Sequence, residues 1–274
     1  MCLLDFNFHT HTYRCGHASG TDEQYVIKAI ENGIKVLGFS DHIPFPNLSH
    51  KGMRPEYETI SDYVNSINEL KKKYASKIEI HVGYEAEYYP EFNSYYQDLL
   101  TNRGIEYLIL GQHGYFEDKD FVFYNSIKND LDNVKAYVDL VIKGMESGFF
   151  LAVGHPDLIL NSFDEVNDEV LKEVERIIIK SVELNIPLEI NGGGIRFKSR
   201  DNTNYIGQHS YHTYPYDEFF SLVGKYQAPV IIGVDAHAPT DFDNHFVNKY
   251  AYSLIKKYHL KLVSLDDILS KFNR

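Results

Sequence analysis

Two hydrophobic periods alternate along the chain. Short runs of consecutive apolar residues read as strands buried on both faces. Stretches with an apolar residue every three or four positions read as amphipathic helices. Leu3 to Phe8 is the first run. Thr21-Asp22-Glu23-Gln24 then has the form of a capping box, Val26, Ala29 and Ile30 make a helical stripe, and Gly33 stands where a helix ends. Val36 to His42 predicts a strand and Ile43 to Pro55 a polar loop. Ile60, Val64, Ile67, Leu70 and Tyr74 mark a second helix, and Ile78 to Gly83 a strand running into Tyr84-Glu85-Ala86-Glu87-Tyr88. A short helix follows over about Asn93 to Asn102.

The second half repeats the pattern. Tyr107 to His113 reads as strand, Val134, Val138, Val141 and Met145 as a helix closed by Gly148, and Phe149 to Asp157 as a strand with a polar end. A long helix is expected from about Asp164 to Leu184, then a strand at Pro187 to Asn191, the triplet Gly192 to Gly194, and a polar loop to Tyr214. A helix from about Tyr216 to Tyr226 precedes the strand Pro229 to His237, and two helical stretches close the chain, the last capped by Ser264 with Asp267 three on. This makes about seven strands alternating with helices, with no linker or change of composition to divide residues 1–274. A single (β/α) barrel, distorted or short of eight strands, fits better than an open doubly wound sheet.

The reason lies at the ends of the apolar runs. Residues two apart on a strand share a face, so His9 and His11 point the same way, and His17 can return to them through a short loop. The event then recurs: His42, Glu85, His113, His155, Asp235 and His237 each stand where an apolar run ends. A barrel gathers all its strand C-termini around one axis, where the active sites of this architecture lie, whereas an open sheet leaves the outer ones apart. Seven imidazoles and two carboxylates are too many for one ion. They suit three divalent ions sharing a carboxylate bridge. The donor set favours zinc, iron or manganese and lacks the thiolates of a structural zinc site.

Composition narrows the partners. The formal net charge is -12, which argues against a nucleic-acid or membrane surface. A small anion remains compatible, because divalent ions reverse the local sign. The two cysteines, Cys2 and Cys15, make no disulfide framework, no apolar run reaches transmembrane length, and the first residues lack the marks of a signal peptide. A soluble cytoplasmic protein is expected, of undetermined oligomeric state.

His9-Thr10-His11, Cys15-Gly16-His17, Ser40-Asp41-His42, Gly83-Tyr84-Glu85, Gly111-Gln112-His113, Gly154-His155-Pro156-Asp157 and Gly233-Val234-Asp235-Ala236-His237 stand in this order along essentially the whole chain. In them the chain resembles the polymerase-and-histidinol-phosphatase (PHP) family of metal-dependent phosphoesterases, in particular its histidinol-phosphate phosphatase branch. The first and last motifs are the most specific. The resemblance implies a distorted (β/α)7 TIM-like barrel with a trinuclear centre. One ion would take His9, His11, Glu85 and Asp235, a second Glu85, His113 and His155, and a third His17, His42 and His237. It also implies a small phosphomonoester substrate, L-histidinol phosphate above all. Arg196 matches a family arginine and is expected to fork onto phosphoryl oxygens.

Several residues keep two readings. Glu87 shares a strand face with Glu85 and competes with it for the bridge. Asp157 orients a ligand, protonates the leaving group or forms a turn, and the glycine triplet is a phosphate nest or a tight turn. His209 and His212 touch substrate or sit in a solvated loop, and Cys15 is read as loop packing. Other reactions remain as alternatives: a phosphotyrosyl-protein or broad small-molecule phosphatase of the same family, or a C–N hydrolase of the amidohydrolase type. The last usually carries a metal-bridging lysine at a strand end, and none stands there.

Overall fold

The computed structural model describes residues 4–117, 120–200 and 214–272, and for 197–200 the backbone only. Its strands are β1 (Phe6–Asn7), β2 (Val36–His42), β3 (Glu79–Ala86), β4 (Tyr107–Leu110), β5 (Gly114–Glu117), β6 (Asp120–Phe123), β7 (Phe150–Val153), β8 (Leu188–Asn191), β9 (Pro229–Gly233) and β10 (Lys261–Leu262). Eight of them form one sheet in the order β1-β2-β3-β4-β7-β8-β9-β10, every pair parallel. The sheet curls until its ends meet. Past β1, Thr10 bridges Ala236 past β9, with His11 N–H donating to Ala236 O at 2.9 Å and Ala236 N–H to His9 O at 3.3 Å. Seven strands thus enclose the C-terminal rim. At the opposite end β9 carries β10 instead, with Lys261 opposite Pro229. That divided edge is the distortion of the barrel.

Helices cross between the strands: α1 (Asp22–Glu31), α2 (Ile60–Lys73), α3 (Asn93–Asn102), α4 (Leu131–Glu146), α5 (Asp168–Leu184), α6 (Gly192–Arg200), α7 (Asp217–Tyr226), α8 (His245–Tyr258) and α9 (Leu265–Leu269). Both capping boxes form, Thr21 with Gln24 and Ser264 with Asp267. The apolar stripes face the strands: Val134, Val138 and Val141 on α4 are fully buried. Inside the barrel, Phe8, Tyr107, Ile109, Leu151 and Ile231 pack together, and the Phe272 ring stacks over His81 below them, 4.7 Å between centroids. Among the described residues no helix is long and apolar enough to cross a membrane.

Three elements depart from the expectation. The hairpin β5–β6 follows His113 directly, where no element was expected; Tyr115, Phe116, Phe121 and Val122 are half-buried, while Glu117, Asp120 and Phe123 are exposed. β10 is two exposed residues and has no local signal. Most consequential is α6, which starts on the glycine triplet where a turn or nest was expected. Three successive glycines are poor helix formers. They are admitted because the rim leaves no room for anything larger: a Cβ on Gly193 would run into the Asp235 carboxylate.

Candidate metal centre

His9 and His11 flank Thr10, whose bridge to Ala236 keeps this segment extended, so both rings face into the mouth of the barrel. β2 and β3 bring His42 and Glu85 side by side in register. Glu85 is the hub and is 1% exposed. Its Oε2 lies 3.5 Å from His9 Nε2, 3.5 Å from His11 Nε2 and 3.2 Å from His42 Nδ1. Its Oε1 lies 3.3 Å from His113 Nε2 and 2.7 Å from His155 Nε2. A Cβ on Gly111 would strike this carboxylate, so the glycine before Gln112 and His113 is a condition of the hub. Across the mouth, Asp235 Oδ1 is 3.6 Å from His9 Nε2 and 3.2 Å from His11 Nε2. His17 donates from Nδ1 to Gly52 O and brings its Nε2 to 3.0 Å from His237 Nε2. His155 and Asp235 hold left-handed backbone, φ 27° and 52°, conformations that cost energy outside glycine and concentrate at functional sites.

The donors form overlapping groups that could hold ions, among them His9 with His11 and Asp235, Glu85 with His113 and His155, and His17 with His42 and His237; His11 also groups with His42 and Glu85, and with Cys15 and His237. Two observations fit metal ions. Ligands about 2.1 Å from a tetrahedral ion stand about 3.4 Å apart, and the contacts around Glu85 and Asp235 lie between 3.2 and 3.6 Å, except that of His155 with Glu85, a direct contact of 2.7 Å. His9 Nε2 and His11 Nε2 are buried without a hydrogen-bond partner among the described residues, an expense a coordinated cation removes. Protonation equilibria agree. Burial and the neighbouring His11 lower His17 and His42, and lower His237 to about 3, so these rings stay in the neutral, ligating form. Burial also acts on His9, but Glu189, Asp235 and Glu85 outweigh it and hold His9 well above its ordinary value. His113, beside Glu85 and Glu87, is likewise pushed up to about 10 despite burial. The carboxylate cage demands cations, and protons fill that need wherever metal does not.

Behind the inner ring stands a second row of carboxylates. Glu189 Oε1 meets His9 Nδ1 at 2.7 Å, Glu87 Oε1 meets His113 Nδ1 at 3.0 Å, and Asp41 Oδ1 lies 3.6 Å from His11 Nδ1. Arg54 grips Glu87 with two nitrogens, at 3.1 and 3.0 Å, which removes Glu87 from the centre and leaves Glu85 there. Glu189 and Asp41 had no role in the sequence reading. Glu189 sits on β8, the strand without an inner donor at its end, and its only local signal is a charge inside an apolar run.

Other expectations change. Arg196 is buried at the rim, but Nη1 donates to Val234 O at 2.6 Å and Nη2 to Asp235 O at 2.5 Å, with Asp241 Oδ1 3.3 Å from Nε. In this structure the guanidinium forks onto the backbone that carries Asp235, and the residue also lines the cavity. Asp157 is buried and accepts from Tyr216 N–H at 2.7 Å. Cys15 is buried and donates to Thr12 O. His209 and His212 lie outside the described residues. The cavity over the centre measures about 650 Å³, and its wall away from the histidines includes Met53, Phe123 and Tyr214, of which Phe123 comes from the unexpected hairpin.

The profile of a family described as the PHP domain matches residues 7–192. A "Probable histidinol-phosphatase" of Deinococcus radiodurans is 26% identical over 246 residues, covering 88% of this chain and 89% of its own. Its namesake in Schizosaccharomyces pombe is 25% identical over 305 residues, covering 98% and 97%. Among solved structures, the histidinol phosphate phosphatase of Lactococcus lactis, complexed with zinc, L-histidinol and phosphate, matches with a TM-score of 0.69 at 16% identity over 94% of this chain and 95% of its own. At that identity the likeness is one of fold.

Proposed function

The chain belongs to the PHP domain family, and from that premise we propose that it is a metal-dependent phosphomonoesterase hydrolysing L-histidinol phosphate to L-histidinol and phosphate, as the names of its relatives suggest. The observation that carries the reading is the convergence of three donor groups on one buried carboxylate beneath an open cavity. His9, His11, Glu85 and Asp235 would hold one ion, Glu85, His113 and His155 a second, and His17, His42 and His237 a third. Zinc, iron or manganese there supplies Lewis-acid charge to the phosphoryl oxygens and lowers the pKa of the attacking water.

The chain's own residues do the rest. Glu85 offers one oxygen to each of two donor groups and so sets their spacing. Glu87 holds the outer nitrogen of His113, which turns its inner nitrogen toward the mouth. Arg196 fixes the carbonyls of Val234 and Asp235 and keeps the Asp235 carboxylate over the site. Asp157 ties the Tyr216 backbone to the rim, next to Tyr214 in the cavity wall. Burial among carboxylates holds the Tyr214 phenol protonated, so it faces the cavity as a neutral group. The test is a kcat/KM comparison over a phosphomonoester panel containing histidinol phosphate and a phosphotyrosyl peptide, with metal content measured on the same sample. Histidinol phosphate is expected to lead. A preference for the peptide would move the protein to the family's other phosphatases, and no turnover of any phosphomonoester with metal present would overturn the reading.

A further inference from the structure

The geometry points to Glu189 as a positioning residue that fixes the tautomer of His9, and thereby decides whether the ion shared by His9, His11 and Asp235 is held; this rests on the metal-centre reading above. His9 Nδ1 is 2.7 Å from Glu189 Oε1, and both side chains are buried. A carboxylate can only accept, so Nδ1 carries the hydrogen, which leaves Nε2 as the nitrogen whose lone pair can go to a metal ion. That Nε2 is the nitrogen left without a partner among the described residues, facing Glu85 and Asp235.

The rest of the pocket fixes which oxygen does this. Glu189 Oε2 is already engaged by two donors, His155 N–H at 2.9 Å and Asn191 Nδ2 at 2.7 Å. The Asn191 amide is itself oriented, because its Oδ1 accepts from Gly194 N–H at 3.1 Å. Gly233 lies against Oε1, where a Cβ would collide with it, so the carboxylate fits only beside a glycine. One side chain on β8 therefore joins the strand ends that carry His9, His155 and Asp235. It is the outer partner of a ligand contributed 180 positions earlier in the chain.

This arrangement makes Glu189→Gln an unusually clean probe. The two N–H donors at the Oε2 position hold the amide oxygen of glutamine there, which places its NH2 against His9 Nδ1. An acceptor becomes a donor without a change of shape, and His9 must move its hydrogen to Nε2, where it blocks coordination. Loss of such an outer partner typically weakens metal binding about 10–100-fold. In a chelator competition on purified protein with zinc, Glu189→Gln is expected to release one ion about 10–100-fold more readily than wild type. It should keep the other ions and a wild-type circular dichroism spectrum. Glu189→Asp, which still accepts, should recover part of the loss. A Glu189→Gln protein with wild-type zinc count and affinity would overturn the assignment. Should the variants not fold, the histidine-ring 15N spectrum of the zinc-loaded wild type decides. A proton on His9 Nδ1 supports the assignment, and a proton on Nε2 overturns it. Wild type that binds zinc but cleaves no phosphomonoester would refute the proposed substrate while leaving this assignment to the zinc counts.

Discussion

The two ends of the barrel both bury a histidine among carboxylates, with opposite results. At the N-terminal end, His81 has Glu106 Oε2 2.6 Å from Nδ1 and Glu79 Oε1 2.8 Å from Nε2, and the Phe272 ring covers it. Both nitrogens are spent on carboxylates, so nothing is left to hold a ligand. At the C-terminal rim, His9 and His113 each spend Nδ1 on an outer carboxylate and turn Nε2 to the Glu85 hub under an open cavity. The residue types are the same at both ends. What separates a structural pair from a candidate metal site is a second nitrogen aimed at a space shared with other donors.

The sharpest way to break the comparison is to remove the cations that only the rim is built to hold. Exhaustive chelation is expected to abolish phosphomonoesterase activity, with recovery on adding back zinc, manganese or iron. It should also lower the melting temperature by several degrees, since a ligand at 100 times its Kd stabilises the fold by about 2.7 kcal/mol. Full activity after chelation, with metal confirmed absent by elemental analysis, would remove the metal centre from the mechanism.

Glu85→Gln comes next. Loss of the shared carboxylate should cut kcat about 10³-fold or more and lower the metal count, while circular dichroism stays native. Near-normal turnover would mean that another carboxylate serves as hub. Arg196→Ala is expected to reduce kcat/KM about 10²-fold, near 2.7 kcal/mol. Because the guanidinium braces Val234 and Asp235, bound metal should fall in parallel, and Arg196→Lys should restore only part. The same kinetic loss with full metal content would instead show the arginine acting directly on phosphate. The smallest effect is reserved for the far end: His81→Gln should leave kcat/KM within about twofold and lower stability by about 1 kcal/mol, read by urea denaturation. A large loss of activity there would erase the distinction between the two ends.

Eight of the nine proposed metal ligands stand at or just past the end of an apolar run, and a parallel barrel delivers every strand end to one rim; His17 follows His11 through a short loop. The capping boxes were equally legible, since a cap is a contact between residues three apart. The hairpin β5–β6, the two-residue β10 and helix α6 escaped because their local patterns are weak or, for Gly192 to Gly194, point the other way. The glycine at 193 answers to a distant segment, the Asp235 carboxylate, which a Cβ there would strike. The choice of Glu85 over Glu87 as hub depends on Arg54, more than thirty positions away, taking the competitor out. The direction of the Arg196 fork and the pairing of Glu189 with His9 likewise depend on which strands lie across the barrel from each other. A ligand's identity is written into its own segment; its tautomer, orientation and outer partner are set by contacts between distant segments, and those exist only once the barrel has closed.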